Sequence, residues 1–195
     1  MEILWFRLDV LSRYPENSWT QMKISEIYDY LVRARRDLWA ALEGVPDEVL
    51  SRPLLNGDQF HCIFHCIKDM LFHIPAVEDG WIHEDILRTQ PVWETVPALK
   101  GTEGGPVFAG FALESLLEYW RLVERGTLGY LATLTTNELE RVVTLHDSPE
   151  RFTVDGLLWH IMIHEMRHTA QIAVLLRTQG IKPPSLDFLF YQPGR

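Results

Sequence analysis

Four segments of this chain place apolar residues three and four positions apart, which is the period of an α-helix with one buried face. The segments cover residues 22–42, about 60–87, about 108–134 and 153–180. Alternation of apolar and polar residues, which is typical of a strand, is scarce. The sequence therefore predicts an all-α fold, a four-helix bundle with one long crossover connection.

Glycine, proline and threonine residues predict where these helices begin, end or are interrupted. Gly44 and Pro46 predict the end of the first helix. Thr153 is a candidate cap at the amino end of the fourth helix, and Gly180, which precedes Lys-Pro-Pro, predicts where that helix ends. Pro75 predicts that the second helix is kinked or divided into two pieces.

The connection between the second and third helices is long. Residues 89–106 are rich in proline and glycine, which predicts a crossover rather than a helix or strand. Within the third helix, Gly126 and Gly129 predict some irregularity.

The charge balance narrows the range of partners. The chain has 18 Lys and Arg residues against 27 Asp and Glu residues, so its formal net charge of −9 disfavours nucleic acid and anionic membranes. Residues 1–19 lack a basic start and a long apolar stretch, and no apolar run approaches membrane-spanning length. We expect one domain over residues 1–195 and a cytoplasmic location.

The fourth segment contains His-Glu-Met-Arg-His, which fits the H-E-x-x-H metal motif. His160, His164 and His168 are spaced four apart, but the outer two lie ~12 Å apart along a helix axis, so all three cannot readily hold one ion. Because Glu165 lies within the second pair, we assign His164 and His168 to the metal. We assign His160 either to the hydrophobic core or to a position next to the metal ligands, where it would support them without binding the ion.

A third ligand has to come from elsewhere in the chain. In some metalloproteases with this motif, the sequence continues with Gly and then His at the next two three-residue steps, and that His is the third ligand. In others, the third ligand is a Glu on a later helix. Here those steps hold Gln171 and Val174, and no Glu follows His168. The protease interpretation therefore loses its third ligand, and His73 on the second helix offers a replacement.

Other residues of the second helix have alternative interpretations. By helical spacing His73 shares a face with Cys62, Cys66 and Asp69. Asp69 is placed to orient the His73 imidazole or to be a plain surface acid, and the two cysteines fit small core residues better than metal ligands. His61 and His65 form a rival four-spaced pair on a different face.

The chain from about residue 23 to 187 resembles the DinB/YfiT-like superfamily. The residues that carry the resemblance are Leu71–Ile74, Glu78, Trp81, Trp159–His160, His164–His168, Gln171–Ile172, Leu176–Arg177, Gly180, Pro183–Pro184 and Asp187. The resemblance implies a four-helix bundle with one divalent metal ion on three histidines, matching His73, His164 and His168. It also implies homodimers, and in some relatives thiol-dependent S-transferase or isomerase activity with bacillithiol, mycothiol or glutathione.

A metal on three neutral imidazoles would keep its full charge and an open position, as in catalytic zinc sites. Such an ion, most readily zinc or nickel, activates either a low-molecular-weight thiol or water. Both reactions fit the site, and the family resemblance favours the first, an S-transferase that acts on a small-molecule substrate while Glu165 or His160 transfers protons. An amide or ester hydrolase is the alternative. Glu165 has two further interpretations, as a hydrogen-bond partner of a histidine or in a surface pair with Arg167 or Arg177.

A third, non-catalytic hypothesis is a dimeric metal-binding or stress-related protein whose ion only stabilises the bundle. A fourth protein ligand, for which Cys66 is the candidate, would favour this structural role.

Overall fold

A computed structural model describes residues 24–54, 64–100 and 108–191. Long helices alternate with short turns of helix and one small hairpin. The elements are α1 (Ile24–Glu43), α2 (Asp47–Leu50), α3 (Ile67–Asp79), a π-helix (Gly80–Leu87), a 3-10 turn (Val92–Thr95), α4 (Leu113–Leu131), α5 (Thr136–Glu140), β1 (Val142–Thr144), β2 (Arg151–Thr153), α6 (Val154–Thr178) and a 3-10 turn (Phe188–Tyr191).

The long helices α1, α3, α4 and α6 form a four-helix bundle, as the sequence predicts. α1 packs against α4 and α6, and α3 packs against the same two helices, so α1 and α3 occupy opposite corners. This arrangement brings the middle of α3 against the middle of α6, which are the two helices with the candidate metal ligands. Among the described residues, no helix combines the length and apolar character needed to cross a membrane.

The structure corrects the start of the second helix. α3 begins at Ile67 and not near residue 60, since residues 64–66 are not helical and Cys66 has the extended backbone of an N-cap. Residues 60–63, including His61 and Cys62, lie outside the described residues. Asp69 causes the late start, because its carboxylate accepts the backbone N–H groups of His65 and Cys66 at 2.8 and 3.0 Å.

Pro75 does not divide the helix. α3 continues through Pro75, and its winding changes at Gly80, where a π-helix begins and runs to Leu87. The third helix is shorter than predicted, and it continues through Gly126 and Gly129 without the predicted irregularity. Gly126 has a packing role instead, since an added Cβ would lie 3.2 Å from the ring of His83.

The ends of α6 agree with the sequence. The Thr153 hydroxyl accepts the Gly156 N–H at 3.1 Å, which is an N-cap bond. At the other end Gly180 has φ of +75°, a conformation that glycine adopts without strain and that terminates many helices. The 89–106 connection contains the short 3-10 turn and no long element among its described residues.

A two-stranded antiparallel hairpin precedes α6 and was not predicted. β1 and β2 pair Val142 with Thr153, Val143 with Phe152 and Thr144 with Arg151. Each strand has three residues, and only Val143 is buried. Such short strands have too few positions to show an alternating pattern.

The apolar core has two parts, separated by a buried charged layer. Along α1, Leu31 and Ala34 belong to one apolar cluster and Leu38 and Leu42 to the other, with Arg35 between them. Each of the other long helices has one buried acid at the same level. These layer residues are Arg35 on α1, Glu78 on α3, Glu124 on α4 and Glu165 on α6, each 1–4% exposed.

Candidate metal centre

Three histidines from two helices converge next to this charged layer. One ring nitrogen from each of His73, His164 and His168 lies within 4.8 Å of the corresponding atoms of the other two. The Nε2 atoms of His73 and His164 are 3.0 Å apart. In a tetrahedral site with metal–nitrogen bonds of about 2.0–2.1 Å, ligand nitrogens lie about 3.3 Å apart. The three histidines can therefore hold one divalent ion with small side-chain movements.

The helix period explains the convergence. His164 and His168 lie one turn apart on the face of α6 that contacts α3, and they are 6% and 2% exposed. His73 lies on the facing surface of α3 and is half-buried. The pairing of α3 with α6 thus supplies the third nitrogen that the HEMRH motif lacks.

A hydrogen bond determines which nitrogen of His168 is available to a metal. Its Nδ1 lies 2.6 Å from the side-chain oxygen of Gln171. An amide oxygen only accepts hydrogen bonds, so Nδ1 carries the proton and donates it. The lone pair is then on Nε2, and this nitrogen lies 3.2 Å from a guanidinium nitrogen of Arg167. Gln171 therefore fixes the ring in the tautomer that a ligand requires.

The environment keeps these imidazoles neutral. Burial, together with the smaller effect of nearby positive charge, lowers the pKa of His164 to about 2 and the pKa of His73 to about 4. Burial also lowers the pKa of His168, although its bond to Gln171 opposes the shift. Neutral imidazoles have free lone pairs near pH 7, which is the state that binds metal.

Aromatic rings surround the three histidines. The Phe64 ring packs edge-on against His73 and His168 at centroid distances of 4.6 and 5.5 Å, and it covers one side of the cluster. His160 stacks beside His164 at 5.9 Å and contacts Trp81 at 5.4 Å. His160 is exposed, so its assignment to the core is wrong. Its ring lies beside His164, and its role in supporting the metal ligands stays a prediction.

Glu165 points away from solvent and into the charged layer. Arg35 donates from Nε to one Glu165 oxygen at 2.6 Å and from a terminal nitrogen to the other. Burial raises the pKa of Glu165, and the Arg35 guanidinium opposes that shift. The interpretation of Glu165 as part of a surface pair with Arg167 or Arg177 is therefore wrong.

Arg35 also holds the other acids of the layer. Its two terminal nitrogens lie 3.0 Å from Glu78 and 3.1 Å from Glu124, and Tyr28 hydrogen-bonds Glu78. This buried layer was not predicted, although the spacing of apolar residues in α1 indicates that Arg35 is buried. The buried residues of α1 recur three and four positions apart, and this spacing places Arg35 on the buried face between Leu31 and Leu38. A buried charge requires a partner of opposite charge, so acids on the neighbouring helices are expected.

Of the other residues near His73, Asp69 has a role that was not predicted, whereas Cys66 lies where it was expected. Asp69 does not orient the His73 ring, since its carboxylate accepts backbone N–H groups at the start of α3 and also the N–H of Phe108 at 2.8 Å. Cys66 is buried, as expected of a small core residue. In the described part of the chain, neither Cys66 nor the exposed His65 belongs to the group that can hold a metal.

Most of the chain matches one protein family. Residues 17–194 match the family model described as the DinB family. The chain belongs to the DinB family. The match extends past both ends of the 23–187 range over which the sequence resembles that superfamily, and it confirms the resemblance. A comparison with curated proteins finds no match.

Solved structures show the same fold at low sequence identity. A conserved protein from Enterococcus faecalis is 17% identical with a TM-score of 0.59, over 80% of this chain and 96% of that one. YfiT from Bacillus subtilis, described as a probable metal-dependent hydrolase with an unusual four-helix bundle topology, is 20% identical with a TM-score of 0.56, over 86% and 93%. A DinB-like protein from Bacillus cereus is 16% identical with a TM-score of 0.52, over 82% and 94%.

Proposed function

We propose that this protein is a metal-dependent enzyme that binds one divalent ion, such as zinc or nickel, through His73, His164 and His168. The observation that carries the proposal is the convergence of three neutral imidazole nitrogens within 4.8 Å. An ion held there would supply positive charge that lowers the pKa of a thiol or water at its open position.

The neighbouring residues supply orientation and proton transfer. The Gln171 side-chain oxygen accepts a hydrogen bond from the Nδ1–H of His168 and so directs Nε2 toward the other two nitrogens. His160 is exposed beside His164, and burial together with the charge of Arg167 lowers its pKa, so its neutral ring accepts a proton near pH 7. Glu165 anchors α6 to Arg35, and its catalytic role stays a prediction.

An enzymatic site is favoured over a structural one by the donor set. A structural zinc site is closed by four protein ligands. The candidate for the fourth ligand was Cys66, which caps α3 and does not join the three histidines in the described residues. Burial raises the pKa of the Cys66 thiol to about 11, so the thiolate that metals bind is disfavoured.

Two reactions fit an activated nucleophile at this site. The first is transfer of a low-molecular-weight thiol to an electrophilic small molecule, which the family resemblance favours. The second is hydrolysis of an amide or ester, and the likeness to YfiT, a probable metal-dependent hydrolase, supports it. We also infer a homodimer, for which sedimentation velocity is the direct test.

A paired assay separates the reactions. The metal-loaded protein is incubated with an activated aryl halide plus glutathione, bacillithiol or mycothiol, and separately with activated esters and amides without thiol. Thiol-dependent halide release would support the transferase, whereas thiol-independent cleavage would support the hydrolase. His168→Ala should abolish either activity, and His146→Ala, on the exposed hairpin connection, should not. Activity that persists in His168→Ala would contradict the proposal.

A further inference from the structure

Arg167 is the one residue of HEMRH whose position is not explained by packing, by the ion pair with Arg35 or by the candidate metal site. It is exposed on α6, and a terminal nitrogen of its guanidinium lies 3.2 Å from Nε2 of His168. This nitrogen carries the lone pair that would bind a metal. The cation and the ion would therefore compete for the same atom, and Arg167 has to move aside when the ion binds.

The charge of Arg167 reaches the whole cluster. It contributes to the lowered pKa values of His73, His160, His164 and His168. Its guanidinium lies at the cluster, as the 3.2 Å distance to Nε2 of His168 shows. Once it has moved off this nitrogen, it would remain beside the site, since Arg167 belongs to the same turn of α6 as His168.

Arg167 also has no acidic partner among the residues that the structure describes. In the three described ranges, no carboxylate lies within 4.0 Å of its guanidinium, whereas Arg35, Arg36 and Arg141 each have such a partner. An unpaired cation next to a divalent ion is repelled by it, which weakens metal binding. An anion between the two would remove this repulsion, and a guanidinium binds oxyanions with two parallel hydrogen bonds.

We propose that Arg167 is a specificity-determining residue that binds an anionic oxygen group, a carboxylate or a phosphate, of the substrate at the mouth of the metal site. The substrate class is then a small molecule with an oxyanion next to the group that reaches the metal. On a protein with a net charge of −9, this local pair of positive charges would select such anions. This inference rests on the proposed metal site.

The test uses the Co²⁺-loaded full-length protein and follows its visible absorption, which changes when a thiol binds the metal. Three sulfur compounds are compared as probes. Mercaptoacetate has a carboxylate next to its thiol, and thiophosphate has phosphate oxygens next to its sulfur. The third, 2-mercaptoethanol, is neutral and has no oxyanion. The wild type should bind one or both anionic thiols about tenfold more tightly than 2-mercaptoethanol. The preferred anion identifies the oxyanion.

Arg167→Gln should remove most of that preference, and Arg167→Lys should keep part of it. In the absence of anions, Arg167→Gln should bind Co²⁺ more tightly, because a repelling charge and a competitor for the His168 lone pair are both lost. Arg177→Gln is the matched control, since Arg177 is exposed on the same helix and its replacement makes the same change in net charge.

The outcomes separate the two proposals. If the wild type binds no Co²⁺, the metal site and the role of Arg167 both fail. If Co²⁺ binds but Arg167→Gln retains the wild-type preference for anionic thiols, the metal site stands and the role of Arg167 is overturned. An equal loss in Arg177→Gln would also overturn it, because the effect would then come from net charge alone.

Discussion

The Arg35 guanidinium forms two hydrogen bonds with the carboxylate of Glu165, and this pair joins α1 to the helix that carries HEMRH. Glu165 is adjacent to His164 in the sequence, so the same contact fixes the angular position of the side of α6 that bears His164 and His168. The motif glutamate thus has a structural role in this bundle, whatever part it has in catalysis.

Replacing Arg35 should strongly destabilise the protein. Arg35→Met leaves Glu78, Glu124 and Glu165 buried without their shared guanidinium, and removing one partner of a buried ion pair costs about 3–5 kcal/mol. The loss is measured as the free energy of unfolding in urea. Arg33→Met is the control, since its pair with Asp29 is nearly half exposed and should contribute less than about 1 kcal/mol. Similar losses in both variants would refute the buried layer.

The Glu165→Gln variant distinguishes anchoring from catalysis. The amide keeps the size of the side chain but loses the charge that holds Arg35, so we expect about 2 kcal/mol of destabilisation with metal content retained. Urea unfolding and elemental analysis of the same preparation provide both values. A variant with unchanged stability that has lost turnover would establish a catalytic role for Glu165 and contradict the anchoring role.

Replacing Asp69 should affect folding more than metal binding. Asp69→Ala removes the acceptor for the backbone N–H groups of His65, Cys66 and Phe108, and buried donors left unpaired cost about 1–3 kcal/mol each. We expect a clear drop in melting temperature and about the same metal content in the folded fraction. Loss of the ion without loss of stability would show that Asp69 orients His73 after all.

The metal-free protein should lose stability in mild acid. The pKa of His164 is about 2 in the folded state and about 6.5 in the unfolded chain, so the unfolded chain binds more protons between these values. Stability therefore falls as the pH decreases below about 6.5. From pH 7.5 to 5.5 His164 alone accounts for about 1 kcal/mol, and His73 and His168 shift in the same direction.

The measurement is urea unfolding of chelator-treated protein at these two pH values. His164→Asn should show a smaller difference between them than the wild type. An equal difference in the two proteins would mean that His164 is not held neutral in the folded state.

Local signals predicted the parts of the fold that depend on neighbouring residues. The Thr153 cap, the Gly180 stop and the one-turn spacing of His164 and His168 all follow from contacts within a single helix. His73 was also predicted as a member of the histidine cluster, because the later positions that supply a third ligand in proteases hold Gln171 and Val174 and the family resemblance matches His73 to a ligand.

The features that depend on distant parts of the chain were missed. α3 begins late because Asp69 caps it and also binds the Phe108 N–H, a contact with a segment 39 residues away. The exposure of His160 and the burial of Glu165 both depend on the rotation of α6 about its own axis within the bundle. Arg35 sets that rotation through a partner 130 residues away.

The most direct test of the central claim is the metal content of the purified, untagged protein, measured by elemental analysis for the wild type, His73→Ala and His146→Ala. We predict about one divalent ion per chain in the wild type and in His146→Ala, and none in His73→Ala. Wild-type protein without metal, or His73→Ala with a full complement, would contradict the three-histidine site.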